Sequence, residues 1–286
     1  MYGPAPERIT GEKQSIRVAM MQLSMYHTRL CTEWCAKKQI DIASRRKADI
    51  GVLPALFCFE QGEVAKDVVS AAKYSMEIMK LLSEAAKAGS IRVAASLVEE
   101  EGAKYYHTAY LYGPDGVVEH KYRKAHLNRA ERAWATQGEE LCPVWETPLG
   151  RLAFMIDDEV WIPEVSRALA LNGVETVLHP CDWDRQEAPN MAAVERTSEN
   201  RTHLVSVARL DNMAKVGSQV VFAGEFIGGE PIALMRYPMA QWMRYGVEEQ
   251  MVVTLERREA NCKMMGFCLD VLAHRFPQCY GQMGPQ

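Results

Sequence analysis

Apolar and polar positions along this chain switch repeatedly between two periods. IRVAMMQL (16–23) is a short apolar run bounded by polar residues, which predicts a buried strand rather than a helix. Residues 29–47 carry apolar side chains at helical spacing, and ADIGVLPALF (48–57) predicts a second strand that ends at Pro54. A helix is expected over 64–88, closed by Gly89 as its C-terminal cap. IRVAASLVEE (91–100) predicts a third strand. After it, YYHTAYLYGPDGVVEHKYRK holds two strand-like runs joined by Gly113-Pro114-Asp115-Gly116, a turn sequence that makes the pair a hairpin. The pattern then alternates: RLAFMI (151–156) as a strand, VSRALALNG (165–173) as a helix, VETVLHP (174–180) as a strand. MAAVERTSENRT is expected to be helical, HLVSVARL (203–210) a strand, and the tail β-rich through QMVVTLE (250–256).

Strands alternate with helices over the first three quarters, yet hairpins intrude, so a purely parallel doubly wound sheet fits less well than a layered α/β sandwich with two mixed sheets. The first 14 residues, with two prolines, a glycine and mixed charge, are expected to be a surface arm, and residues 15–286 a single domain. No repeat or composition break divides them, and neither GxGxxG nor GxxxxGK[ST] is present, so no nucleotide cofactor is expected.

Composition sharpens this by exclusion. At 286 residues, 48% hydrophobic and 24% charged, the chain can bury a large core and is too apolar for disorder. A net charge of −4, without a run of five like charges, argues against nucleic-acid or membrane-surface binding. Without a long apolar segment or a secretory leader pattern, a cytoplasmic location is expected, and the eight cysteines are expected to be reduced thiols. Cys31 and Cys35, with His27 before them, have no second Cys/His pair nearby; ordinary helix packing is the better reading, and no metal is expected.

Four segments bring polar residues to the ends of apolar strands, where α/β folds build sites. They are LPALFCFE (53–60), YRKAHLNRAERAW (122–134), MIDDEVWIPE (155–164) and LHPCDWDR (178–185). From spacing alone, Arg123, Lys124 and His126 read as a solvated basic turn. Asp157, Asp158 and Glu159 are three successive carboxylates after a buried run. Either they crowd and raise one another's pKa, or they cap a helix N-terminus, and different members can do each.

Taken in order, these segments resemble the nitrilase superfamily of carbon-nitrogen hydrolases, from about Ile16 to Tyr280. LPALF is similar to the family's LPELF, YRKAHL to its YRKxHL, and TPLGRLAFMIDDEVWIPE to the strand and nucleophile elbow that ends in ICYDxxFPE. LHPCDW resembles its P-[ST]-x-W element, VERTSENRTHLVSVARLDN its RAxENxxFVVxxN stretch, and RFPQCY its RRPxxY. The resemblance implies an αββα sandwich, and a chemistry in which a cysteine attacks a nitrile or amide carbon while a glutamate acts as base and a lysine stabilises charge.

Lys124 matches the lysine and Glu131 falls where a second, positioning glutamate is expected, but Asp157 stands in the place of the cysteine and Ala55 in that of the base. Both replacements act on one charge balance: Asp157 would inherit an ion pair with Lys124, and a further carboxylate at position 55 would then be unfavourable. Asp158, His179 and Trp183 are the candidate substrate-binding residues, and Glu60, Glu63 or Cys181 are candidates to substitute in the site. Two functions stay open. One is a family member that has lost thiol-dependent activity and binds a small ligand or serves as a partner subunit. The other is a divergent hydrolase or lyase for a small C–N or ester substrate, using Lys124 with Asp157 or Glu131. The resemblance also implies homodimers or larger assemblies, to which some of the 16 methionines and six tryptophans would contribute.

Overall fold

The computed structural model describes residues 13–26, 28–224, 240–265 and 269–278. The arm expected over 1–14 therefore falls outside the described residues except for its last two positions, as does His27.

The elements follow the expected order: β1 (Ser15–Gln22), α1 (Arg29–Arg45), β2 (Ile50–Ala55), α2 (Glu63–Lys66), α3 (Val68–Gly89), β3 (Arg92–Glu101), β4 (Lys104–Tyr112) and β5 (Val118–Arg123). The second half adds β6 (Trp145–Thr147), β7 (Gly150–Phe154), α4 (Pro163–Leu171), β8 (Thr176–Cys181), α5 (Ala193–Asn200), β9 (His203–Ala208), β10 (Gln219–Val221), β11 (Ala240–Trp242), β12 (Glu249–Glu256) and α6 (Arg257–Asn261). A small antiparallel pair, β13 (Met264–Met265) and β14 (Leu269–Asp270), follows.

Two six-stranded sheets carry the fold, ordered β12-β1-β2-β3-β4-β5 and β11-β10-β9-β8-β7-β6. Each is parallel at its centre (β1, β2, β3 and β7, β8, β9) and antiparallel at both edges, so both are mixed. Val18, Met20, Val52, Ala94, Leu111 and Tyr122 of the first sheet pack on Leu152, Phe154, Leu178, Val205 and Val207 of the second. Helices α1 and α3 cover the outer face of the first sheet through Ala36, Ile40, Ile78 and Leu82. Leu169 of α4 and Ala193 of α5 cover the second against Val177 and Leu204. The layers are α, β, β, α, and burying each large aliphatic side chain between them contributes roughly 1.5–3 kcal/mol.

Three local expectations are corrected. The helix expected over 64–88 is two helices, because Asp67 takes an extended backbone and caps α3 by accepting the Ser70 N–H at 3.0 Å. Gly89 is the last helical residue of α3, and the left-handed C-terminal position belongs to Ser90 (φ 48°). The helix expected from Met191 is preceded by a wider π turn, Ala188–Ala192, opened by Pro189 in its first turn. The Gly113–Gly116 turn forms as expected, with Gly116 at φ 83° pressed so close to α3 that a Cβ there would lie 2.6 Å from the Ser83 carbonyl oxygen.

Candidate functional site

The site gathers at one end of the sandwich, where β2, β3, β4 and β5 of one sheet meet β7 and β8 of the other. Strand β5 delivers Lys124: Tyr122 points into the inter-sheet core, so Lys124 two residues on points the same way. Its backbone N–H donates to the His107 carbonyl at 2.8 Å and its own carbonyl accepts from Gly138 at 3.0 Å. Only glycine fits there, since a Cβ at 138 would lie 2.2 Å from the Arg123 carbonyl oxygen.

The buried Lys124 ammonium donates to both Glu131 oxygens (2.8 and 2.7 Å) and to Asp158 Oδ1 (2.7 Å), so its three donors are all taken. Burial pulls this ammonium toward neutrality, but the carboxylates paired with it, Glu131 first and then Asp158, outweigh it and hold the charge. Glu131 opens a short 3-10 turn and is fixed by Asn128, whose Oδ1 accepts the Glu131 N–H at 2.9 Å while Glu131 Oε2 accepts the Asn128 N–H at 3.0 Å. His107 Nδ1 bonds Glu131 Oε1 at 2.8 Å. Burial works against ionisation of Glu131, yet the hydrogen bond from His107 and the charge of Lys124 prevail and bring it down to about 2.

Asp157 lies just past β7 on a left-handed backbone (φ 48°), a conformation strained for any residue with a side chain. The turn aims its carboxyl at β8, where Oδ1 accepts the Asp182 N–H at 2.6 Å, and its carbonyl accepts from His179 Nε2 at 2.7 Å. The expected ion pair with Lys124 is therefore corrected: Asp158, one residue on, makes it. Part of Asp157 reaches solvent, but its carboxyl sits deep. Burial, helped by repulsion from Glu131, Asp158 and Asp182 and opposed by Lys124, raises its pKa well above the carboxylate range.

The two readings of the acid trio separate by residue. Crowding applies to Asp157. Capping applies to Glu159, whose Oε2 accepts the Ile156 N–H at 2.9 Å and whose Oε1 takes the Tyr122 hydroxyl at 2.7 Å and His126 Nδ1 at 3.2 Å.

His179 is fully buried, pushed down to about 4 by burial, and bonds Ser206 Oγ (2.9 Å) through its other nitrogen, so both nitrogens are engaged. Trp183 packs edge-on against it at 5.3 Å. Ala55 is buried at the end of β2, level with Ser96 of β3. Neither expected substitute glutamate enters there: Glu63 pairs with Arg29 at 2.9 Å and accepts the Glu60 N–H at 2.8 Å, and Glu60 is exposed. Cys181 is near Asp157 but fully buried in the core of the second sheet, and burial raises its thiol well above the ordinary range, opposite to what a thiolate nucleophile requires. Arg123 is corrected from a solvated turn: it pairs with Glu99 and Glu101 and lies 4.0 Å over the Tyr106 ring.

Sequence reasoning missed Ser96, His107 and Asp182 as site members. His107 carried one signal, a lone polar residue on the inward-facing alternation of β4. Ligating atoms of His107, Glu131 and Asp157 all lie within 4.8 Å of one another, a spacing that suits a metal ion. The Lys124 ammonium already occupies both oxygens of Glu131, so a divalent ion would meet a resident cation.

A buried lysine–glutamate pair lies near a strand-to-turn elbow between two mixed sheets. The chain belongs to the carbon-nitrogen hydrolase family, whose profile matches residues 17–210. It is 29% identical over 179 residues to a nitrilase of Pyrococcus abyssi, a match covering 61% of this chain and 67% of that one. It is 30% identical over 185 residues to omega-amidase NIT2 of Homo sapiens, covering 61% and 66%. The matched stretch thus spans about two thirds of each of these relatives. The fold is shared with an amidase from Nesterenkonia sp., at a TM-score of 0.74 and 22% identity over 95% of this chain and 97% of the other.

Proposed function

We propose that this chain has left the thiol route of its family and that its site binds a small carbonyl-bearing ligand without forming a thioester. The observation that carries the reading is Asp157: a carboxyl at the strained elbow, held by the Asp182 N–H and driven toward its neutral form. A neutral carboxyl is a poor nucleophile but a hydrogen-bond donor, suited to a ligand carbonyl. In a variant of the amidase from Nesterenkonia sp. AN1, the acetamide moiety of fluoroacetamide adds covalently at the active site cysteine. Here Cys181, close enough to Asp157 to feel its charge, is buried with a raised thiol pKa.

Water-based hydrolysis through Glu131 is the second reading, and the geometry argues against it. Glu131 Oε1 accepts from His107 and Lys124, and Oε2 from Lys124 and Asn128, so the carboxylate has no free position for a water to activate. Its pKa of about 2 also makes it a weak base. Lys124 would reach a ligand oxygen only by releasing Asp158.

The test is ammonia release from a panel of short amides, nitriles and N-carbamoyl compounds, with binding of the same compounds followed by NMR. Binding without ammonia supports the proposal. Ammonia release that disappears in Asp157→Asn overturns it in favour of a recast hydrolase. We extend the proposal to a homodimer or larger assembly, supported by exposed Leu171, Met191 and Met213 on the outer side of the second sheet.

A further inference from the structure

The buried polar chain does not stop at Glu131. His107 bonds Glu131 Oε1 through Nδ1 at 2.8 Å and Ser96 Oγ through Nε2 at 3.0 Å. Because Glu131 is held ionised it can only accept, so Nδ1 carries a proton toward it and Nε2 is the nitrogen that faces the serine hydroxyl. That is the orientation a general base needs toward a hydroxyl nucleophile.

We propose that Ser96, His107 and Glu131 form a hydroxyl–imidazole–carboxylate relay in which Ser96 accepts acyl groups, giving this chain an esterase-type activity toward small activated acyl compounds. This goes beyond the ligand-binding reading above. Its placement supports it. Ser96 is two residues from Ala94, and His107 two from Ala109, both in the inter-sheet core, so all face the interior between the sheets. Ser96 also sits directly opposite Ala55, where a methyl group stands in place of the family's base. The Leu56 N–H donates to Ser96 Oγ at 3.4 Å, which leaves the hydroxyl proton for His107.

In the step, the Ser96 Oγ–carbon bond forms as the carbonyl electron pair moves onto oxygen, and the hydroxyl proton passes to His107 Nε2. Collapse expels the leaving alcohol, which takes that proton. Water, deprotonated in turn by Nε2, attacks the acyl-serine, releases the acid and restores Ser96.

The test treats the full chain with methanesulfonyl fluoride, in which the Oγ–sulfur bond forms, fluoride leaves and the hydroxyl proton departs through His107. Peptide mapping then locates the adduct, with p-nitrophenyl acetate turnover measured alongside. The relay requires one sulfonyl group on Ser96, none in Ser96→Ala, and labelling slowed at least about 100-fold in His107→Gln with its melting transition retained. Ser96→Cys, a near-isosteric replacement, should instead be alkylated at position 96 by iodoacetamide. An unlabelled Ser96, or an unchanged rate in His107→Gln, overturns the proposal.

Discussion

Position 157 shows how one residue's environment shapes the account. A carboxyl whose folded pKa is raised holds its proton while the unfolded chain, ionising near 4, gives its proton up. The folded state then binds more protons, so this residue's contribution falls as pH rises from about 4 toward its folded pKa. Asp157→Asn keeps an oxygen for the Asp182 N–H and removes the titration. The variant should therefore gain on the native chain in melting temperature between pH 4 and pH 7, with the difference widening as pH rises. Equal melting curves across that range would mean that Asp157 is ionised in place. The sequence disclosed that three acids crowd the end of β7, but not which one would reach Lys124. That depended on the left-handed backbone at 157, which turns Asp157 toward β8 and leaves Asp158 for the lysine. His107 and Ser96 were hidden for a different reason: they meet only when β3 and β4 pair, and each alone reads as a satisfied core residue.

At the scale of elements, strands were legible because short apolar runs bounded by polar residues have few alternatives, and the Gly113–Gly116 turn fixed its hairpin. Helix ends were less so. Asp67 reads as one more polar position in a helical pattern, yet its side chain serves α3 better as a cap than as an interior residue. At the other end of α3, Ser90 occupies a left-handed position that its Cβ disfavours and glycine accepts freely. Ser90→Gly should stabilise the protein by about 1 kcal/mol, read from denaturant unfolding. A loss of stability would show that α3 does not end in this conformation.

Across the whole molecule, two imidazoles on neighbouring strands of the second sheet link stability to acidity. Burial brings His179 on β8 and His203 on β9 down to about 4, so both are neutral in the folded state while the unfolded chain takes up protons below about 6.5. The unfolded state then binds more protons, and stability should fall as pH drops from about 6.5 to about 4, by on the order of 3 kcal/mol per imidazole at about 1.4 kcal/mol per pKa unit. Glu131, at about 2, adds a further loss below about 4.5. Urea unfolding of Asp157→Asn, in which the opposing titration of Asp157 is removed, at pH 7, 5.5 and 4 measures the decline; a flat profile of that variant would refute the neutral, buried assignments. The layered architecture and its family were readable because several motifs kept their order over most of the chain, whereas the site's chemistry was not, since it depends on which of many acids, imidazoles and thiols the two sheets bring within reach.

The measurement closest to the central claim compares the native chain with the double variant Ala55→Glu, Asp157→Cys after exposure to fluoroacetamide, each weighed intact and then mapped by peptide. No adduct is expected at Asp157 or Cys181 in the native chain, and one acetamide group is expected at position 157 of the variant. An adduct on Cys181 or Asp157 of the native chain would contradict that claim, because the site would then retain a covalent nucleophile of its own at the elbow.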